Sequence, residues 1–212
     1  MKCVIITGGP ELDVEALRAS LAEEPAPFVI CADHGYDNAR RAGVSPHLLL
    51  GDFDSMEADR KMVEGQPETI VYPAEKDDTD TVAAVKEALR RGFREVELHG
   101  ATGARLDHCL GNVACLLYLA NRDAQGTIYY PWGSISLVRK EKILMNQKGK
   151  TVSLLPIGGP AAGVTLEGFY YPLHEYTMQP EYPIGISNVV TSDQAVIRVR
   201  EGDLLLFQNK TV

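Results

Sequence analysis

Four aspartates stand where an apolar run stops. Asp33 follows residues 28–32, Asp52 and Asp54 follow residues 47–50, and Asp80 closes an acidic segment after residues 69–72. Two carboxylates about 4 Å apart repel by roughly 4 kcal/mol at an effective dielectric near 20. If these groups gather in space they need a cation. Hard oxygen ligands with little His or Cys beside them favour Mg²⁺, usually shared with phosphate groups.

The spacing refines this. In Gly51-Asp52-Phe53-Asp54-Ser55 the carboxylates stand at i and i+2. On an extended backbone both then point one way, and can chelate one cation or hold two adjacent ones. A surface turn with Asp as a local acceptor is the plainer alternative. Lys76-Asp77-Asp78-Thr79-Asp80 opens a helical pattern that Asp77 or Asp78 can cap, but three acids and a Thr exceed what capping needs. Lys76 either reaches a phosphate or is an exposed lysine. Gly100-Ala101-Thr102-Gly103-Ala104-Arg105-Leu106-Asp107-His108 joins a strand pattern to a helical one. Its glycines allow the backbone close to a phosphate, and Arg105 can neutralise phosphate charge. Neither the Gly-x-x-x-x-Gly-Lys-Ser/Thr loop nor the Gly-x-Gly-x-x-Gly fingerprint occurs. His34, His99 and His108 also fall near these strand ends and are given no metal role.

Bringing such groups together requires a particular scaffold. Residues 3–7, 28–32, 47–50, 69–72, 95–99 and 127–130 read as strands; residues 12–23, 36–42, 79–91 and 107–121 read as helices. Strands alternating with helices imply a parallel sheet with helices on its faces, whose strand ends form a ligand crevice. After Pro131-Trp132-Gly133 the helical period disappears. Short β-like runs at residues 134–139, 151–155, 164–167, 195–200 and 204–208 are separated by turns at 147–150, 157–160 and 201–203. The expected fold is therefore an α/β parallel-sheet domain over residues 1–133, followed by a small antiparallel β-sandwich over residues 134–212. The second part is marginal as an independent unit and should pack on the first or on a partner subunit.

Composition narrows the partners. A net charge of −8 over 212 residues argues against a general nucleic-acid surface and suits a metal site or a cationic small substrate. No stretch approaches the ~20 apolar residues of a membrane span. Residues 1–7 read as a first strand rather than a signal peptide. Cys3, Cys31, Cys109 and Cys115 lack zinc-ligand spacing and read as small core residues of a cytoplasmic protein.

In this order the segments resemble thiamine pyrophosphokinases. The residues that carry the resemblance are Ala32-Asp33-x-Gly35, Gly51-Asp52-Phe53-Asp54-Ser55, Lys76-Asp77-Asp78-Thr79-Asp80, the 100–108 segment and the late Ser187-Asn188. The resemblance implies transfer of pyrophosphate from ATP to the hydroxyl of thiamine, with Mg²⁺, releasing AMP. It implies a homodimer with thiamine bound near the subunit interface. It assigns Asp52, Asp54 and Asp80 to metal and phosphates, with Asp33, Gly35, Asp77, Thr79, Gly100, Thr102 and Gly103 around the nucleotide. Arg105 and Asp107 would face phosphate and the attacking hydroxyl, and Asp107 or Asp80 would take its proton. Ser187 and Asn188 would contact thiamine, with Phe207, Tyr170, Tyr171 or Tyr176 as its aromatic partner. His34 stands where the family commonly has a small residue. Rival readings are the same transfer to another hydroxymethyl heterocycle such as a pterin, a metal-dependent phosphohydrolase, and a non-catalytic sensor.

Overall fold

The computed structural model describes residues 1–52, 67–73 and 77–210 and divides into two units, Met1–Pro131 and Trp132–Val212. The first unit contains strands β1 (Lys2–Ile6), β2 (Phe28–Ala32), β3 (Leu48–Gly51), β4 (Glu68–Val71), β5 (Glu95–His99) and β6 (Gln125–Tyr130). They alternate with helices α1 (Val14–Leu21), α2 (Gly35–Ala42), α3 (Asp80–Arg90) and α4 (Leu106–Ala120). All six strands pair in parallel, in the order β4-β3-β2-β1-β5-β6.

That order follows from burial. The strands are apolar on both faces, so each face needs a helical layer. Val4, Ile6, Val29, Cys31 and Leu49 meet Leu17 of α1 and Tyr36, Ala39 and Ala42 of α2. Alternation along the strand turns Cys3 and Ile5 to the opposite face, and α3 packs there against β1, β2 and β3. Each fully buried Leu or Ile contributes about 1.5–3 kcal/mol. The helices stop where the chain dictates: Gly43 closes α2 in the left-handed conformation (φ +72°). The connection from β4 through α3 to β5 crosses back over β1. The strand order therefore reverses between β1 and β5, and this reversal is where a parallel sheet opens a crevice.

The second unit is antiparallel and contains β7 (Gly133–Val138), β8 (Glu141–Met145), β9 (Thr151–Glu167), β10 (Leu173–Met178), β11 (Asn188–Val189), β12 (Gln194–Arg198) and β13 (Glu201–Asn209). β13 lies between β7 and β9. β12 lies between β8 and β9. Leu154, Leu166, Ile197, Leu204 and Leu206 fill the core between the layers. The fold class thus agrees with the sequence: a parallel α/β unit and then an antiparallel β-sandwich.

Several elements differ. β8 and β10 form where no strand was expected. The turn expected at residues 201–203 is instead the start of β13. The turn expected at residues 157–160 does not form, and β9 runs unbroken for 17 residues. It pairs with β13 along its first half and with β10 and β12 along its second. Glycines bend the strand between the two layers without ending it, and the β13 pairing slips in register between Glu201 and Asp203. Among the described residues no helix is long and apolar enough to cross a membrane.

Candidate functional site

The crevice at the β1/β5 reversal is a cavity of about 490 Å³, within the range of small-molecule sites. Its walls are residues 7–10 after β1, residues 32–34 after β2, the start of α3, and residues 100–105 with the first turns of α4.

Backbone bonds lock the two central loops together. The Thr7 N–H donates to His99 O (2.9 Å) and the Gly9 N–H to Gly100 O (2.8 Å). The Thr7 hydroxyl also donates to Gly100 O. A Cβ at position 9 would be driven into the carbonyls of Gly100 and Thr102, so only glycine permits this approach. The same holds at Gly35, where a Cβ would collide with Ile6 O. Gly35 does not line the cavity; it lets α2 start hard against β1. Farther along the loops, the Thr102 hydroxyl donates to Glu11 Oε2 (2.9 Å).

Two helices point uncapped N-termini at the cavity. No side chain caps α2, which begins after His34, or α4, which begins after Arg105. The helix dipole makes such ends receptive to phosphate, and in α2, where the Tyr36 and Asp37 amides are bonded to Asp33 O and His34 O, the dipole is the main contribution. α3 differs. Its cap is Thr79, whose hydroxyl accepts the Val82 N–H (3.3 Å), and not Asp77 or Asp78. Asp78 instead pairs with Lys86 at 2.6 and 2.7 Å.

Of the acidic residues, Asp33, Asp80 and Asp107 line the cavity together. Asp33 sits in the left-handed region (φ +47°), with its N–H on Leu50 O at 2.8 Å. Asp tolerates that conformation better than most side chains. The His34 ring lies 3.6 Å from both Asp33 and Asp37. Asp52 follows β3 and is not part of the cavity lining, nor is Asp77. Asp54 and Lys76 lie outside the described residues. Among those described, no three Asp, Glu, His or Cys side chains gather closely enough to hold a cation unaided.

Arg105 and Asp107 form an exposed pair, Arg105 Nη2 to Asp107 Oδ2 at 2.6 Å. The bond from Arg105 holds the Asp107 carboxyl well down, at about 2. Thr79, Gly100, Thr102 and Gly103 also line the cavity.

The late segment is organised differently. Asn188 is buried, and its side chain is taken up by the backbone. Its amide donates to Tyr171 O (2.8 Å), and its oxygen accepts from Tyr171 N (3.0 Å) and Val189 N (2.9 Å). It fixes the Tyr170–Tyr171 corner, where the rings meet edge to face at 4.9 Å. Ser187 donates its N–H to Ser153 Oγ (3.0 Å), and Ser153 pairs across the ladder with Phe207. Leu154 and Leu206 face the core, so alternation turns the buried Ser153 and half-buried Phe207 to the opposite face of the ladder, on which Ser187 is bonded.

Four residues with clear roles at these loops escape the sequence motifs: Thr7, Glu11, Asn38 and Asn112. Asn112 Nδ2 donates to Ala101 O at 2.8 Å, and Asn38 Nδ2 to Thr7 O and Gly9 O. The available signal was an asparagine inside each helix, a poor helix former that needs a reason to be there.

Residues 20–128 match the family model described as thiamin pyrophosphokinase, catalytic domain, and residues 137–204 that of its vitamin B1 binding domain. A thiamine pyrophosphokinase of Bacillus subtilis (strain 168) is 30% identical over 216 residues, covering 97% of both chains. The crystal structure of thiamine pyrophosphokinase from Bacillus subtilis superposes with a TM-score of 0.88 at 25% identity, covering all of both chains. That from Geobacillus thermodenitrificans gives 0.83 at 30% identity, covering 100% of this chain and 98% of the other. The yeast enzyme, at 15% identity, shares the fold with a TM-score of 0.79 over 98% of this chain and 86% of its own. With both family models matched along the chain and a full-length relative at 30% identity, the chain belongs to the thiamin pyrophosphokinase family.

Proposed function

We propose that the protein transfers pyrophosphate from ATP to the hydroxyl of thiamine, releasing AMP, and that the β1/β5 crevice holds the ATP phosphates. The observation that carries this is the convergence of two uncapped helix N-termini, a glycine-built loop pair, Arg105 and three aspartates, Asp33, Asp80 and Asp107, on one cavity. Transfer of this kind asks for positioning and charge neutralisation more than for covalent catalysis.

The acidic oxygen donors suit Mg²⁺, which keeps few protein ligands and shares phosphate oxygens. Asp80, Asp52 and Asp54 would hold it, with Asp33 beside them. When bound, the ion neutralises phosphate charge and polarises the phosphorus under attack. Amides at the start of α4 hold phosphate oxygens, and the α2 dipole adds to their pull. Arg105 adds a second cationic contact. A phosphate that draws Arg105 away from Asp107 removes the partner that keeps this carboxylate weakly basic, and Asp107 then accepts the proton of the hydroxyl; Asp80 is the other candidate. Gly100, Thr102 and Gly103 shape the nucleotide wall, and Gly35, Asp77 and Thr79 set the helix starts around it.

On the β-sandwich unit, Ser187 and Phe207 present a hydroxyl and a ring on one outer face. Asn188 holds Tyr170 and Tyr171 in place as further aromatic surface. We assign thiamine to this region, in a cytoplasmic homodimer; the exposed Tyr170, Tyr171, Tyr182 and Ile186 support an interface there. An assay of purified protein with ATP, Mg²⁺ and thiamine, following thiamine diphosphate and AMP together, tests the reading. Equal amounts of both products are expected. AMP without thiamine diphosphate, or faster turnover with a pterin alcohol, overturns it.

A further inference from the structure

Asn38 does not line the cavity, yet it controls the loop that does. It occupies the second turn of α2 and is 6% exposed. Its amide nitrogen donates both hydrogens to one loop, to Thr7 O at 2.8 Å and to Gly9 O at 2.9 Å. Its nitrogen also stands against Gly100, where an added Cβ would come to 3.1 Å. One side chain therefore touches the loops after β1 and after β5 where they meet.

We infer that Asn38 is a positioning residue for phosphate binding, acting through the Thr7–Gly8 peptide. The peptide is trans and planar, so its C=O and N–H point in opposite directions. Pulling the Thr7 carbonyl toward α2 aims the Gly8 N–H away from α2. Gly8 is exposed and lines the cavity. The bond to Gly9 O fixes the Gly9–Pro10 peptide, whose nitrogen has no hydrogen to offer, and the N–H of the intervening Gly8–Gly9 peptide is already on Gly100 O. The pair of bonds thus leaves Gly8 as the amide donor presented by this turn. The Thr7 hydroxyl is committed to Gly100 O. An aliphatic residue could fill the space behind the loop but could not set its peptide planes.

This rests on the reading that the crevice takes the ATP phosphates, and the wild-type enzyme is the control for that reading. The test is Asn38→Asp, which keeps the shape and removes both donors at neutral pH. A positioning role predicts that KM for ATP rises about tenfold at pH 8, the equivalent of one hydrogen bond, while KM for thiamine stays within about twofold. The new carboxyl is buried against two carbonyl oxygens, which favours its protonated form and returns one donor as pH falls. The ATP defect relative to wild type should therefore shrink at least about threefold between pH 8 and pH 6. A purely structural role would give a defect shared by both substrates and independent of pH.

Asn38→Ser, which keeps one short donor, replaces it if the first variant does not fold; the same selective rise in KM for ATP is expected. Folded variants with KM for ATP within twofold of wild type overturn the inference, as does failure of both variants to fold. If the wild type itself forms no thiamine diphosphate, the functional reading fails instead.

Discussion

Thr102 gives its hydroxyl hydrogen to the Glu11 carboxylate across 2.9 Å, and this bond links the loop after β5 to the loop after β1 above the cavity floor. The residues are 91 positions apart in the chain. They meet because their strands are neighbours in the sheet. Thr102→Val keeps the shape and removes the donor. It should loosen the loop by about 1 kcal/mol and lower kcat/KM for ATP about fivefold. A double-mutant cycle with Glu11→Gln checks it: the two losses should overlap rather than add.

Asp80 opens α3 inside the cavity, while Thr79 provides the helix cap. Removing the charge therefore should not unwind the helix. Asp80→Asn is expected to reduce transfer at least about 100-fold with the melting temperature shifted by only a few degrees. Asp54→Asn should do the same. Full activity in either variant removes that residue from the metal and phosphate set.

Gly35 allows α2 to begin against the Ile6 carbonyl. Gly35→Ala forces the helix away from β1 and should cost about 1–3 kcal/mol, read as a lower urea midpoint. Because α2 also carries His34 and Asn38, KM for ATP should rise in the same variant.

Glu97 is buried on the α1 face of β5. Burial pushes its carboxyl up, but the groups around it, His99, Lys2 and Ser20, outweigh this and hold it at about 2. Lys2 Nζ lies 2.8 Å from Oε1. His99 Nε2 stands 3.6 Å from Oε2, an electrostatic contact too long for a hydrogen bond. A depressed carboxylate stabilises the fold above its unfolded value near 4.5, and that contribution is lost as pH falls toward about 2. Glu97→Gln should therefore be about 2 kcal/mol less stable at pH 7 and nearly equal to wild type at pH 2. Denaturant titrations at the two pH values measure the difference.

Asn188 makes three hydrogen bonds to backbone groups of Tyr171 and Val189. Asn188→Ala strands those groups and should cost about 2 kcal/mol. It also frees the Tyr170–Tyr171 corner, so KM for thiamine should rise more than KM for ATP. The opposite order would separate this corner from the thiamine site.

The parallel unit was readable because its signals are local. β2 and β5 lie where the apolar runs place them, and α3 ends just before Gly92. The β unit was less so. β8 has one buried residue, Leu144, and shows no clean alternation. β10 is exposed along most of its length. Such strands are held by pairing with β12 and β9, which no single segment announces. The turn expected at residues 157–160 failed for a related reason, since glycines that end an isolated strand can bend one supported by neighbours on both sides.

The chain alone determined which chemistry was available: aspartates at strand ends, a glycine-rich loop carrying Arg105, and an alternation that folds only as a parallel sheet. These follow from residue type and short-range period. Tertiary structure decided which of those groups share a cavity and what holds them there. It set Asp33, Asp80 and Asp107 on one cavity and left Asp52 off its wall, and it committed Asn188 to the backbone. It also put Asn38 behind the loop after β1. Those outcomes depend on strand order and register, which join residues distant in the chain and leave no mark on either segment by itself.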